Sequence, residues 1–403
     1  ATYLLWEKWK DKLPAHFWKI DMPLLNVLMA IEDRGIAINP KLLGGFSEGL
    51  EKALKDIDLS FNPFSNPQLQ AYIYGVLGIE PFKFTNTGQP SVDADVLETI
   101  DDPVIKKVLE YKELYQEKNT YVDNYVKRLT IDGRIHPEFK QCSTVTGRLS
   151  SAHPNLQNVP TSEHSTMRQL FIAPVGKQLV RVDWSQLELR VFAALTQEPE
   201  MLKVFQSGGN IHKETALALG WNPDDPEKYK DAKTINFLML YGGGAWKISQ
   251  EFHIPIDQAK ECIKQYFHKY QGIGTYFERV KAEAHETKKV SNYFGRVRRM
   301  DALYAEDWRV VQQGEREAIN TPIQGTAAEI VKLAMIELHY KSSAPMILVV
   351  HDELLFEVDE PQAKEYARWL RDYLPTLTKI SGVEFPVEVS VGRNWHDMKE
   401  VTK

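Results

Sequence analysis

Three short stretches of the chain carry residue types that could act together. "LVRVDWSQLELR" (179–190) runs from alternating apolar residues onto Asp183, and "MILVVHDELLFEV" (346–358) sets His351, Asp352 and Glu353 between two apolar runs. Alternation along a strand sends Leu179, Arg181 and Asp183 to one side and Val180, Val182 and Trp184 to the other. The helical periodicity of "SQLELRVFAAL", with Ser185 as the expected N-cap, ends that strand near Asp183. Asp352 falls in the tight connection between two strands. If these segments neighbour each other in one sheet, two carboxylates reach a single edge, where they repel unless a cation sits between them. Hard oxygen ligands suit Mg²⁺, which keeps several waters and accepts phosphate oxygens as further ligands. A pair of such ions about 3.5–4 Å apart serves in-line phosphoryl transfer. The plain alternative is an acidic turn in solvent, against which the apolar flanks weigh.

The third stretch, "KTINFLMLYGGG", places Lys233, Phe237 and Tyr241 at i, i+4 and i+8. At about 100° per residue they share an arc of roughly 80° on one helix face. An ammonium one turn before two rings suits a nucleotide, with charge on the phosphates and rings beside the base. Core aromatics with a snorkelling lysine would look the same. Gly242, Gly243 and Gly244 end the helix, and the GxxxxGK[ST] form of a P-loop is absent.

The elements that must position these groups change in texture along the chain. From Met22 to about residue 129 the spacing is helical, with Gly35 as a stop, a helix starting near Asn66-Pro67, another capped by Ser91 or Asp93, and a long helical stretch from about Pro103. Asp132-Gly133, between two alternating segments, signals a hairpin. Strand texture is confined to about 130–184 and 346–392, with a mostly helical block from 185 to 285. An α+β fold follows, with a helical insertion and a helical N-terminal arm.

The chain has 403 residues, 43% hydrophobic and 26% charged, which is ordinary globular composition with ample core. No run of about 18 apolar residues exists, so no membrane span is expected. Cys142 and Cys262 stand apart with no Cys/His cluster, which argues for an intracellular protein with neither a disulfide framework nor a zinc site. Net charge is −6, so nucleic-acid binding would need local patches. The best is "FGRVRRM", with Arg296, Arg298 and Arg299; a solvated face is its ordinary explanation.

In order and rough spacing, "DWSQLELR", "KTINFLMLYG" and "VVHDELLFEV" resemble motifs A, B and C of the family A DNA polymerases, the bacterial polymerase I group. "TGRLSSAHPNLQNVP" (146–160), "NIHKETA" (210–216), "FGRVRR" (294–299), "REAINTPIQGTAAE" (316–329) and "MPLLNVLMAIEDRGIAI" (22–38) match the family at the expected places. The resemblance spans nearly the whole chain from Asp21. It implies a right-hand fold with a lead segment at 1–20, a thumb at 21–127, fingers at 196–310, and a palm from 128–195 and 311–403. The implied activity is template-directed DNA synthesis from dNTPs on a primer–template, with pyrophosphate released.

The same resemblance makes Asp183 and Asp352 ligands of two Mg²⁺ ions, for which Mn²⁺ could substitute, and Glu353 a supporting acid. Lys233 would neutralise phosphate and protonate pyrophosphate. Gln186, His212, Lys230 and Arg168 are further nucleotide-side candidates, and Phe237 and Tyr241 border the sugar and nascent pair. Glu188 stands at the family's sugar gate, where a carboxylate packed with Tyr241 leaves no room for a 2′-hydroxyl. Arg148, Gln157, Asn158, Arg316, Asn320 and Gln324 match positions facing the duplex, joined by Arg296 and Arg298, with His351 as a structural or primer-side group. Minor-groove acceptors are nearly alike for every Watson–Crick pair, so donors there can test pairing without reading sequence.

Departures from the family pattern are Trp184 for a usual Tyr, Tyr229 where an Arg is common, and Leu238 for a usual Gly. Lys230 is the expected substitute for that Arg. Phe237 implies discrimination against dideoxynucleotides, and "YGGGAWKIS" leans towards phage-like members. Before Asp21 the sequence offers no room for a 3′–5′ exonuclease, so no proofreading is expected from this chain; nuclease or helicase domains could precede it in a longer polypeptide. A monomer in the cytoplasm, nucleoid-associated or in a phage host, is the expected setting. The rivals are a single-subunit RNA polymerase, a catalytically dead DNA-binding protein and a two-metal nuclease.

Overall fold

Two apolar segments far apart in sequence pair along nearly their whole length. Strand β1 (Lys177–Trp184) runs antiparallel to β3 (Glu353–Asp359), with Val180 opposite Phe356 and Asp183 opposite Glu353. On its other side lies β4 (Val387–Gly392), which pairs with β5 (Met398–Glu400); β2 (Met346–Val350) completes the order β5–β4–β1–β3–β2. All residues of β2 are buried, as are all of β3 but Asp359. Both faces are therefore covered, which is why these strands read as continuous apolar runs rather than alternating ones.

A computed structural model describes residues 2–85, 87–160 and 165–402. They form two compact units. The first, residues 1–35, 137–158 and 173–403, holds the sheet and most helices. Helix α1 (Met22–Arg34) packs by β2, α2 (Leu187–Thr196) follows β1, and α3 (Ile211–Ala218) packs on α4 (Pro226–Leu240). Helix α5 (Trp308–Lys341) crosses α1 and α2, and α6 (Ala363–Leu377) lies on β1 and β4. A hairpin, Lys289–Ser291 with Val297–Arg299, follows the helical block of 185–285 and lies outside the two stretches to which strand texture was expected to be confined. The second unit, residues 36–136 and 159–172, has its own core around Leu69, Ile73, Leu97, Ile105 and Val108. Three of its helices start on side-chain caps: Asn39, Asp93 and Asp102 each accept from backbone N–H groups of the first turn. Among the described residues no helix is long and apolar enough to cross a membrane.

Two local expectations are corrected. Asp132-Gly133 forms a turn, with Gly133 at φ +76°, but Arg134–Ile135 pairs with Ile36–Ala37 and the residues before it are helical. The partner strand is remote, so the alternating pattern around the turn was not a hairpin. Ser185 does not cap α2: its hydroxyl donates to Glu388, and Gln186 takes the cap position at φ +55° without a side-chain cap bond.

Close packing on α5 sets the position of Arg148. A Cβ on Gly325 would lie 3.0 Å from the Thr146 carbonyl oxygen, so a side chain there would push that loop a few tenths of an ångström off the helix. Nearby, Arg296 donates from Nε to Glu329 at 2.5 Å and from Nη2 to Asp21 at 2.6 Å. Lys332, 1% exposed, joins this buried ionic group, and its Nζ finds no hydrogen-bond partner among the described residues. Burial, then the Arg296 charge, pushes its ammonium down to about 8. The folded value lies below the ordinary value near ~10.4, so between these limits the unfolded chain binds more protons and stability rises with pH. We expect wild type to gain up to about 3 kcal/mol over Lys332→Met as pH rises from 8 towards 10.4, read from urea midpoints; parallel pH curves would contradict this.

Candidate active site

The hairpin tip between β2 and β3 is two residues long, His351 and Asp352, with Val350 opposite Glu353. His351 sits at φ +54°, the left-handed region that side chains rarely adopt. The Trp184 N–H donates to the Asp352 carbonyl at 3.3 Å, tying this tip to the end of β1. Asp183 and Asp352 thus meet at one edge and line one cavity of about 500 Å³. Burial, then the charges of Asp352 and Glu353, pushes the Asp183 carboxyl up to about 7. Asp352 is raised as well, by burial and then by Glu188. Among the described residues neither acid makes an ion pair; the Arg181 charge offsets only part of what raises Asp183.

This donor set fits a hard divalent cation. No cluster of three or more potential metal ligands forms among the described residues. Two carboxylates with the remaining positions left to water and phosphate is the pattern Mg²⁺ takes at nucleotide sites. Glu353 is turned inward: it is 7% exposed and accepts a hydrogen bond from the Trp395 indole. Glu388, opposite Asp183 on β4, lines the same cavity and was not singled out from sequence, although its place in the alternating "PVEVSVG" marked it as a strand acid.

Helices α3 and α4 supply the opposite wall through His212, Tyr229, Lys233 and Phe237. Buried amides determine how the His212 ring is presented. Asn236, fully buried, donates from Nδ2 to the Ala232 carbonyl at 3.0 Å, which fixes which end of its amide is nitrogen. The same Nδ2 lies 3.1 Å from His212 Nδ1, so Nδ1 accepts and Nε2 carries the proton. Burial, then the Lys233 charge, lowers this imidazole to about 4, leaving a neutral donor at pH 7.

Glu188, in the first turn of α2, is held by two donors. The Tyr241 phenol donates to one carboxylate oxygen at 2.6 Å and Arg148 binds the other. Burial and Glu188 together raise the Tyr241 phenol. Gln186, in its left-handed turn, also lines the cavity. Arg148, the buried Gln157 and His351 border an adjoining cleft beside Asp352. Arg316, Asn320 and Gln324 recur every four residues along one face of α5, and Arg316 lies against Gly242. Asn158 is exposed.

Other candidates are not brought to this cavity. Lys230 is exposed and absent from its lining, where Tyr229 stands instead. Arg168 is buried in the second compact unit. Arg296 is engaged with Asp21 and Glu329, and Arg298 with Glu317 and Thr321. Their guanidiniums are bound inward, so "FGRVRRM" is chiefly a set of internal ion pairs and not an open basic patch.

Comparison with known proteins places this geometry. A family model described as DNA polymerase family A matches residues 41–397. The thermostable DNA polymerase I of Thermus aquaticus is 36% identical over 411 residues, covering 97% of this chain and 49% of that protein. The DNA polymerase I of Pseudomonas aeruginosa is 34% identical over 419 residues, covering 98% of this chain and 46% of that protein. The chain therefore spans about half the length of these relatives. The POL domain of Pol1 from M. smegmatis, solved in complex with DNA primer-template and dNTP, superposes with a TM-score of 0.87 at 30% identity, covering 94% of this chain and 70% of that one. With Asp183, Lys233 and Asp352 on one cavity and the family match running over most of its length, the chain belongs to DNA polymerase family A.

Proposed function

We propose that this chain extends a DNA primer from dNTPs on a template. The observation that carries the reading is the meeting of Asp183 and Asp352 on a cavity whose far wall holds Lys233. The M. smegmatis relative was solved with both substrate types, primer-template and dNTP, which supports the same partners here. In the reaction the primer 3′-oxygen attacks the α-phosphorus, the bond to the bridging oxygen breaks, and pyrophosphate leaves. Two Mg²⁺ ions, with Mn²⁺ as a substitute, would be held by Asp183 and Asp352 and would supply Lewis-acid neutralisation of the reacting oxygens. Lys233 offsets phosphate charge and can give a proton to the departing pyrophosphate. His212 donates from Nε2 on the same wall. Glu353 and its Trp395 partner support the hairpin tip from within.

Selectivity follows from Glu188. Held by Arg148 and Tyr241, its carboxylate cannot swing aside, so a ribose 2′-hydroxyl meets a fixed obstacle. Phe237 borders the sugar from α4. Arg148, Gln157, Asn158, Arg316, Asn320, Gln324 and His351 form the proposed duplex-facing set. The hand labels extend this reading: thumb at 21–127, fingers at 196–310, palm from the remainder beyond residue 127. Arg168, Lys230, Arg296 and Arg298 receive no direct role in it.

Primer extension with dNTPs and Mg²⁺ tests the reaction. Asp352→Asn should lower the rate by about 10²–10³-fold or more while gel-shift affinity for primer–template is kept; extension at the wild-type rate would refute the proposal. The same gel without nucleotides should show no primer shortening, whereas a two-metal nuclease would degrade the primer. Glu188→Ala should raise the relative use of rNTPs over dNTPs by about 10–200-fold in kcat/KM. An unchanged ratio would remove Glu188 from the gate, and a wild-type preference for rNTPs would favour an RNA polymerase.

A further inference from the structure

The phosphate wall of the cavity contains a second neutral donor whose proton is directed by a neighbouring amide, and the argument rests on the nucleotide-binding reading above. Asn210 precedes α3 as its N-cap: Oδ1 accepts from the His212 N–H at 2.9 Å and the Lys213 N–H at 3.2 Å. Only its Nδ2 is then left to face outward, and this nitrogen lies 3.2 Å from the Tyr229 hydroxyl. An amide nitrogen only donates, so the Tyr229 oxygen accepts. The phenol's single proton must therefore point away from Asn210. Tyr229 lines the cavity together with Lys233, and its ring meets His212 edge-on at 5.8 Å. Lys230, one residue on, is exposed and outside that lining.

We propose that Tyr229 gives its O–H to a phosphate oxygen of the incoming nucleotide, with Asn210 as the positioning residue that aims it. The wall then presents one cation, Lys233, flanked by two neutral donors. Each donor is fixed by an asparagine whose own amide orientation is set by backbone groups, Asn210 for Tyr229 and Asn236 for His212. Neutral donors select a phosphate chain by geometry while adding no net charge. Nucleotide affinity should therefore depend on ionic strength through Lys233 and not through Tyr229.

The test uses dNTP binding to the complex of the full chain with a dideoxy-terminated primer–template, alongside steady-state extension on an ordinary primer. Tyr229→Phe should weaken dNTP binding and raise KM by about tenfold, with kcat nearly kept and the salt dependence of binding unchanged. Asn210→Asp keeps both cap acceptors, but its outward oxygen would now take the phenol proton and turn it away from the cavity. That variant should match Tyr229→Phe in dNTP binding and KM while melting at the wild-type temperature. The double variant should be no worse than Tyr229→Phe alone. Wild-type KM in Tyr229→Phe, or additive losses in the double variant, would overturn the proposal while leaving polymerase activity standing. Wild type that neither binds dNTP nor extends primers would instead overturn the nucleotide-site reading, and this inference with it.

Discussion

Two like charges held at one edge of a buried sheet constrain everything around them. Asp183 ends β1 and Asp352 sits at the β2–β3 tip, and antiparallel pairing of β1 with β3 brings the two together. A folded chain keeps such a pair only if something offsets the repulsion, since burial and proximity favour the neutral acid. Among the described residues no lysine or arginine forms an ion pair with either acid. Arg148 points at Glu188, and Lys233 stands across the cavity on α4. The stability cost of the edge is carried by the apolar strands on either side, nearly all of whose side chains are buried.

The opposite wall follows a different rule. Its charge is sparse, and its polar groups carry protons with assigned directions. Asn236 fixes the His212 tautomer, and Tyr241 with Arg148 fixes the Glu188 carboxylate. In a site of low local dielectric a fixed dipole is worth more than a mobile one, because it does not reorganise when charge arrives. The hydrogen bonds behind the cavity are thus part of what its surface can do. Thr215 and Tyr266, buried behind Asn236, continue that network into the core.

Local periodicity made part of this legible. Alternation located β1, two apolar runs located the β2–β3 hairpin, and helical spacing put Lys233 and Phe237 on one face, because such patterns depend only on near neighbours. Contacts between distant segments left no such trace. The inward pairing of Arg296 with Asp21 and Glu329, the indole of Trp395 on Glu353, and the presence of Tyr229 rather than Lys230 in the cavity all depend on tertiary packing. Ser185 looked like a cap because its type favours one, yet the chain turns through Gln186 and leaves Ser185 to Glu388. Backbone strain of this kind beside the carboxylate edge is where local rules are expected to fail.

Binding of Mn²⁺ in the presence of a dNTP, followed by electron paramagnetic resonance, bears most directly on the carboxylate pair. Wild type should immobilise the ion, and Asp183→Asn and Asp352→Asn should each lose that signal while circular dichroism reports an intact fold. Retention of wild-type Mn²⁺ binding by both variants would contradict the account.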